Sequence, residues 1–295
     1  MRVYVTGGGH GFIGAHIVRA LGEAGHEVRD GWADVRDAGA LLRAIDGADA
    51  VCHVAALYSF RRPAAELEAV NVAGTANVLD ACRRAGVTRI VHTSSCATCG
   101  PVAGRPATEE DSPPEWELVV PYKRTKLDAE RLALEVGAVC VNPTTPVGDG
   151  DTGPTPTGAM VRGVATGRYR AALRSTGLNL VDVRDVARGH VLALERGRPG
   201  ERYLLGGVNL TLADAFAAIA RLARRRAPLA ALPYAAARAL AAARLANAQE
   251  VALARLPAWF SSAKAERELG YRPGPVEPAL ARAVAEALAR RTSDG

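Results

Sequence analysis

The sequence predicts a doubly wound α/β fold, a parallel sheet with helices on both faces, followed by a smaller and mostly helical C-terminal lobe. Three observations predict it. Short strand-like runs alternate with helical patterns through the first half of the chain, the arrangement that builds βαβ units. A glycine-rich turn, TGGGHGFIG at residues 6–14, follows the first run directly and opens a helix. Beyond Gly207, alanine, arginine and leucine recur at helical spacing.

The first strand is Arg2–Val5, and the glycine turn leads from it into a helix over Ile13–Ala24. Further strands are expected at His26–Arg29, Ala50–Val54, Arg89–Thr93 and Ala138–Val141. Helical patterns lie between them at Ala38–Ile45, Glu66–Ala85 and Tyr122–Val136, the last with Pro121 placed for a helix start. Strands separated in this way form a parallel sheet covered on both faces. Asn142–Gly158 is rich in Pro, Gly, Thr and Asp and is expected to be a loop leaving the sheet.

A chain of 295 residues, 48% of them hydrophobic, can bury a sizeable core as one large domain or two smaller ones. The net charge is +6, but the arginines are scattered among alanines without a basic block. That pattern is one of solvated helix faces, so no nucleic-acid partner is expected. No basic segment precedes a long apolar stretch, and no apolar run reaches membrane-spanning length. A soluble, cytoplasmic protein with no membrane partner is therefore expected. The five cysteines, Cys52, Cys82, Cys96, Cys99 and Cys140, are an odd number without a secretion signal and are expected as free thiols. Cys96 and Cys99 make a CxxC, but no second Cys or His pair stands at zinc-ligand spacing, so no metal is expected. Two small residues at a packed strand end is the preferred reading, with a redox dithiol as the alternative.

A glycine turn between a strand and a helix is a dinucleotide fingerprint. The pyrophosphate rests on the helix N-terminus, where free N–H groups and the helix dipole meet negative charge. Gly8, Gly11 and Gly14 give the spacing GxxGxxG. The chain then divides into a dinucleotide-binding Rossmann-type domain, residues 1–145 with 178–208, and a substrate-binding lobe, residues 146–177 and 209–295. A second constellation is YKRTK, in which Tyr122 and Lys126 stand four apart and so share a helical face. Ser94 and Ser95 end the strand before it. A phenol titrates near 10, too high for base work at neutrality, and a neighbouring ammonium would lower it. A serine hydroxyl would hold and polarise the substrate oxygen. Lysine is scarce here, Lys123, Lys126 and Lys264 standing beside many arginines, so its presence at this spacing looks selected.

Together these stretches resemble the extended short-chain dehydrogenase/reductase family, the NAD-dependent epimerases and dehydratases. The resemblance runs through TGGGHGFIG, ADV at 33–35, HVAA at 53–56, NVAGTANVLDAC at 71–82, HTSS at 92–95, YKRTK, NPTTPVG at 142–148, NLVDVRDVARGH at 179–190 and FSSAKAERELGYRP at 260–273. The later segments look most like hopanoid-associated sugar epimerases, with dihydroflavonol reductase-like enzymes as close cousins. The resemblance implies Ser95 as catalytic serine, Tyr122 as acid/base and Lys126 as the residue that tunes it and binds the nicotinamide ribose. It implies Gly8, Gly11, Phe12, Ile13 and Gly14 at the pyrophosphate, Asp34 and Val35 beside the adenine, Ala55 and Ala56 under the cofactor, and Pro143 against the nicotinamide. Asn71 would lie near the active site, and Thr155 and Thr157 would touch substrate. The implied cofactor is NAD or NADP, and the implied assembly is a homodimer through the helices at Glu66–Ala85 and Tyr122–Val136.

Two departures stand out. The glycine turn is one residue longer than the family's TGxxGFIG, so one of Gly7, Gly8, Gly9 and His10 must bulge. After HEVR, roughly twenty family residues are missing, more than an ordinary connecting loop. The sheet edge should be pared down there and the adenosine end of the cofactor more exposed. Trp32 falls where the ribose-binding acid would stand, with Arg29 and Asp30 as substitutes. His10, His53, His92 and His190 have no acid or ligand partner at useful spacing and are expected to be structural. Asp185 is a candidate helix cap. The function expected is an NAD(P)-dependent oxidoreductase or epimerase on a sugar-like or secondary-metabolite alcohol or ketone. The alternatives are a redox-neutral dehydratase, lyase or cyclase on the same scaffold, and a dinucleotide-sensing binding protein.

Overall fold

The computed structural model describes residues 1–8, 11–60, 62–152, 155–169, 171–227, 230–244 and 247–293. The first half runs β1 (Arg2–Thr6), α1 (Phe12–Glu23), β2 (Glu27–Arg29), α2 (Ala38–Ile45), β3 (Ala50–His53), α3 (Ala64–Glu68), α4 (Gly74–Arg84), β4 (Arg89–Thr93), α5 (Pro121–Glu135) and β5 (Val139–Pro143). A π turn at Ala69–Ala73 joins α3 to α4. The second half runs β6 (Thr145–Val147), α6 (Pro156–Ala165), β7 (Ala171–Leu173), β8 (Gly177–Asp182), α7 (Val183–Arg196), β9 (Arg202–Leu205), β10 (Val208–Thr211), α8 (Leu212–Leu222), β11 (Ala230–Leu232), α9 (Tyr234–Ala242), α10 (Ala248–Leu253), α11 (Ala263–Glu268) and α12 (Glu277–Ser293).

Six strands make a parallel sheet in the order β2-β1-β3-β4-β5-β9. Side chains alternate between its faces, because successive Cβ atoms of a strand point opposite ways. Val3, Val5, Cys52, Val91, Val139 and Val141 pack with Ile17 and Leu21 of α1 and Val186 and Leu194 of α7. On the other face, Tyr4, Val51 and Cys140 pack with Leu41 and Ile45 of α2, Val78 and Cys82 of α4 and Ala133 of α5. Each fully buried aliphatic side chain of this kind contributes about 1.5–3 kcal/mol, which is why the strands have to be apolar on both faces. The chain thus has the Rossmann-type layering that the alternation predicts.

The pared edge is visible in the topology. Strand β2 has three residues and closes one side of the sheet, with no strand beyond it among the described residues. The chain passes from Arg29 into a short loop and then into α2.

The segment expected as one loop, Asn142–Gly158, is more ordered than its composition suggests. Strand β5 continues to Pro143, β6 pairs in parallel with β8, and Pro156 starts α6. Strand β10 completes a second sheet in the order β10-β8-β6. Chain segment 177–182 thus belongs to this small sheet, while α7 and β9 pack with the large one. Behind the small sheet, Val161 and Val164 of α6, Phe216 and Ile219 of α8, and Leu280 and Val284 of α12 form a separate core. Asp182, and not Asp185, caps α7 by accepting from the Arg184 N–H at 2.9 Å. Asp185 is buried in the first turn and instead binds Arg188 and the Gly274 N–H.

Candidate active site

The loops at the carboxyl ends of β1, β3, β4 and β5 gather most of the predicted residues. At β4, Thr93 is followed by Ser94 and Ser95, and the Ser95 hydroxyl caps the short 3-10 turn Cys96–Thr98. The Tyr122 phenol feels that hydroxyl, which favours its ionised form. Pro121 opens α5, so Tyr122 lies in its first turn and Lys126 one turn further along. The Lys126 ammonium is buried and donates to the Thr93 carbonyl at 2.7 Å. Serine, tyrosine and lysine are thereby held on one corner of the sheet.

The electrostatics differ from expectation. Burial pushes the Tyr122 phenol above its ordinary value, and the contact that offsets this is the Ser95 hydroxyl. The lowering expected from Lys126 is not seen, because desolvation wins and the ammonium is turned onto the Thr93 carbonyl. Burial in turn lowers Lys126 to about 8, and Glu130 opposes that lowering.

Glu130 was not singled out by the sequence reading. It stands four residues after Lys126 on the same face of α5, and that spacing was the available signal. Its buried carboxylate accepts from Thr98 Oγ1 at 2.9 Å, from Asn142 Nδ2, and from Arg202 Nη1 at 2.9 Å. Arg202 also donates to the carbonyls of Glu109 and Asp111, each at 2.8 Å. This network ties α5 to the turn carrying Ser95 and to β5 and β9.

Two aromatic rings from the loop after β3 were missed as well. Tyr58 lies 4.5 Å from the Tyr122 ring, and Phe60 lies 6.1 Å from it, edge-on. Asn71, at the π turn, holds this loop. Its side-chain oxygen accepts from Leu57 N at 2.7 Å, and its amide donates to the Leu57 carbonyl and to Thr125 Oγ1, each at 3.1 Å. Asn71 is thus near the site, as expected, with its amide committed to bracing.

The glycine turn fits a dinucleotide. Gly7 adopts a φ of +65° and packs against Ala55, where a Cβ would come within 3.1 Å. A Cβ on Gly8 would meet Val18 at 2.9 Å, and one on Gly14 would meet the Gly7 carbonyl at 3.0 Å. At Gly11 the nearest atom to an added Cβ is 3.8 Å away, and its φ of −108° suits any residue. Packing therefore explains glycine at 7, 8 and 14 but not at 11. The bare N-cap of α1, with no side-chain capping bond, leaves its N–H groups open to an anion. Gly9 and His10, where the extra residue was expected to bulge, lie outside the described residues. Phe12 and Ile13 start α1, and Phe12 lines a cleft with Thr157, Asp151, Arg162, Glu286 and Arg290. Thr155, by contrast, is spent as the cap of α6 and as a donor to Asp151 at 2.6 Å.

At β3, Thr6 Oγ1 accepts from Val54 N and Ala55 N at 3.0 and 3.1 Å. Ala56 follows, exposed, and Pro143 is buried at the end of β5. His53 lies between Thr6 and Thr75, at 2.8 and 2.9 Å, and His190 between Thr93 and the Val186 carbonyl, at 2.9 and 2.8 Å. His92 is buried, 5.1 Å from the His53 ring, and neither of its ring nitrogens has a hydrogen-bond partner. Burial lowers His53 to about 3, His190 to about 4, and His92 far below its usual range.

At the pared edge, the Asp34 carboxylate binds Arg36, which lowers it to about 2, and Val35 is buried against α4 with its carbonyl accepting from Asn77 at 3.0 Å. The five cysteines are free, and burial pushes the Cys96 and Cys99 thiols up to about 12, against a reactive dithiol. Among the described residues, no cluster of His, Cys, Asp or Glu is placed to hold a metal, and no helix is long and apolar enough to cross a membrane.

With this geometry in hand, comparison with known proteins is informative. Residues 3–206 match the model of the NAD dependent epimerase/dehydratase family. A putative dihydroflavonol 4-reductase of Synechocystis is 38% identical over 76% of this chain and 73% of its own length. Sterol demethylase protein B of Methylococcus capsulatus is 34% identical over 79% of this chain and 78% of its own. Among solved structures, a nucleoside-diphosphate-sugar epimerase from Pseudomonas aeruginosa superposes with a TM-score of 0.82, at 29% identity, over 98% of both chains.

Proposed function

This chain belongs to the NAD-dependent epimerase/dehydratase family, and on that premise we propose that it is an oxidoreductase on a secondary-metabolite or sugar-like alcohol or ketone, with Tyr122 as acid/base. The family's cofactor is NAD or NADP. The observation that carries the reading is the placing of Ser95 at the end of β4 with Tyr122 in the first turn of α5 and a buried Lys126 one helical turn along, bound to the Thr93 carbonyl at 2.7 Å.

The turn at Gly7, Gly8, Gly11 and Gly14 and the N-terminus of α1 would hold the pyrophosphate, Asp34 and Val35 would stand beside the adenine, Ala55, Ala56 and Pro143 would flank the cofactor, and Lys126 would bind the ribose. When bound, the nicotinamide supplies or accepts the hydride. The Tyr122 phenol is protonated at neutral pH, and burial, which pushes it higher still, favours its role as donor to a substrate oxygen over that of base. Ser95 polarises that oxygen. Lys126, at about 8, remains charged at neutrality and fixes the Thr93 carbonyl at the strand end. Ketone reduction is therefore the direction this phenol serves best. Tyr58 and Phe60, packed around Tyr122, favour a cyclic, largely apolar ketone over a free sugar. A cytoplasmic homodimer through chain segment 64–84 and α5 completes the reading.

The test is turnover of cyclic ketones by the purified protein with NADH and with NADPH. Tyr122→Phe should lose at least about 100-fold in rate while binding dinucleotide as before. Undiminished rate in that variant, or product formed without any nicotinamide, would overturn the proposal.

A further inference from the structure

The pared sheet edge raises the question of what covers the adenosine end of a dinucleotide when the outer strand is gone. Strand β2 stops at Arg29, paired with Tyr4, so β1 runs two residues further before its glycine turn. The chain after Arg29 thus leaves the sheet on the same carboxyl edge as that turn. Arg29 does not face a ligand: its guanidinium donates to the carbonyls of Ala44 and Asp46, each at 2.7 Å. Asp34 is engaged by Arg36. The loop itself is pinned at both ends, since the Gly31 carbonyl accepts from Tyr4 Oη at 2.9 Å and Val35 is buried. Between these anchors stands Trp32, 71% exposed.

An indole held open to solvent on a braced loop is a large apolar surface displayed in a fixed place. Its neighbours in the sequence are the Asp34 and Val35 pair of the proposed adenine site. We infer that Trp32 is the platform on which the adenine ring of the dinucleotide stacks, in place of the missing outer strand. Every nucleobase has a π face, and stacking on an aromatic side chain needs no hydrogen-bond pattern. The inference rests on the dinucleotide reading above and adds a residue that sets affinity at the end remote from Tyr122.

Tryptophan emission and calorimetry test it with ADP-ribose, which carries the adenosine half and no nicotinamide. Trp116 lies under Arg255, and Trp259 donates to the Leu210 carbonyl at 3.1 Å, so Trp32 is the exposed reporter. ADP-ribose should quench the emission of the unaltered protein. Trp32→Phe should abolish most of that quench yet bind within about threefold, because the aromatic face is retained. Trp32→Ala should bind ADP-ribose and NAD about tenfold more weakly. If Trp32→Ala binds ADP-ribose as tightly as the unaltered protein, the assignment fails and the dinucleotide reading stands. If the unaltered protein binds neither ADP-ribose nor NAD, both fail together.

Discussion

The two ends of the large sheet's carboxyl edge are built on opposite principles. At the β4–β5 end, Lys126 feels the carboxylate of Glu130, which belongs to a buried network in which Glu130, Asn142, Thr98 and Arg202 bind one another. At the β2 end the edge strand has three residues, and the loop after it carries an exposed Trp32. The first end fixes groups to within a hydrogen-bond length before any substrate arrives, as proton transfer requires. The second needs only to hold a ligand, and binding tolerates looser surroundings. The comparison teaches that this chain has kept rigidity where chemistry is proposed and given up surface where only affinity is at stake.

The strongest way to break the comparison is at Glu130. Removing one member of a buried ion pair leaves its partners uncompensated and costs about 3–5 kcal/mol. Glu130→Ala should lose about that much in chemical unfolding. It should also move the Lys126 titration below 8, because the carboxylate that favours the ammonium is gone, and carry any limb of the pH–rate profile that depends on Lys126 to lower pH. Trp32→Ala should do neither. A loss at Glu130 no greater than that of an average exposed residue would erase the contrast between the two ends.

A second effect belongs to the buried end alone. His53, His92 and His190 are held neutral by burial, with His53 at about 3 and His190 at about 4 against an ordinary 6.5. Between those values the unfolded chain binds more protons than the folded one, so stability rises with pH there. It is fully present above about 6.5 and is lost as pH falls from there toward the folded values. Melting temperatures measured between pH 7.5 and pH 5 should therefore decline. His92→Phe should flatten that decline while costing little at neutrality, since neither ring nitrogen of His92 has a partner to lose. An unaltered slope would show that the acid loss arises elsewhere.

What was legible in the sequence follows the same division. The apolar runs gave five of the six strands of the large sheet to within about two residues, because both-sided burial dictates composition, but not β9 or the strands of the small sheets. The short edge strand β2 and the brief connection after it were legible in the few residues between Arg29 and the next helical pattern. Ser95, Tyr122 and Lys126 were legible because each is a distinct chemical type at fixed spacing. The direction of the Tyr122 shift was not, because it depends on how deeply the phenol is shielded, which no local pattern encodes. Tyr58 and Phe60 escaped for a related reason: their loop is placed by Asn71, fourteen residues from the Leu57 it holds. That Thr155 caps α6 was not legible either, because threonine in a Pro- and Gly-rich stretch suggests a loop and not the start of a helix.

The smallest effect sharpens the comparison at the point where the two ends meet. The glycine turn serves both halves of a dinucleotide, and its glycines separate by cause. Gly8→Ala would press a Cβ onto Val18 and Val5 and should lower stability as well as binding. Gly11→Ala meets nothing nearer than 3.8 Å and needs no unusual φ. Its cost to folding should stay below about 1 kcal/mol, the ordinary difference between glycine and alanine at a helix N-cap. If Gly11 is glycine so that a phosphate can approach the backbone, Gly11→Ala should weaken NAD and ADP-ribose about equally, and by at least about fivefold, because both carry the pyrophosphate. Trp32→Ala should match that pattern, whereas Tyr122→Phe should leave both affinities alone. Calorimetry on the three variants separates the binding end, where both affinities fall, from the chemical end, where neither does. Unchanged affinity in Gly11→Ala would mean that the turn's openness at that position serves no ligand, and the contrast between a chemical end and a binding end would lose its middle term.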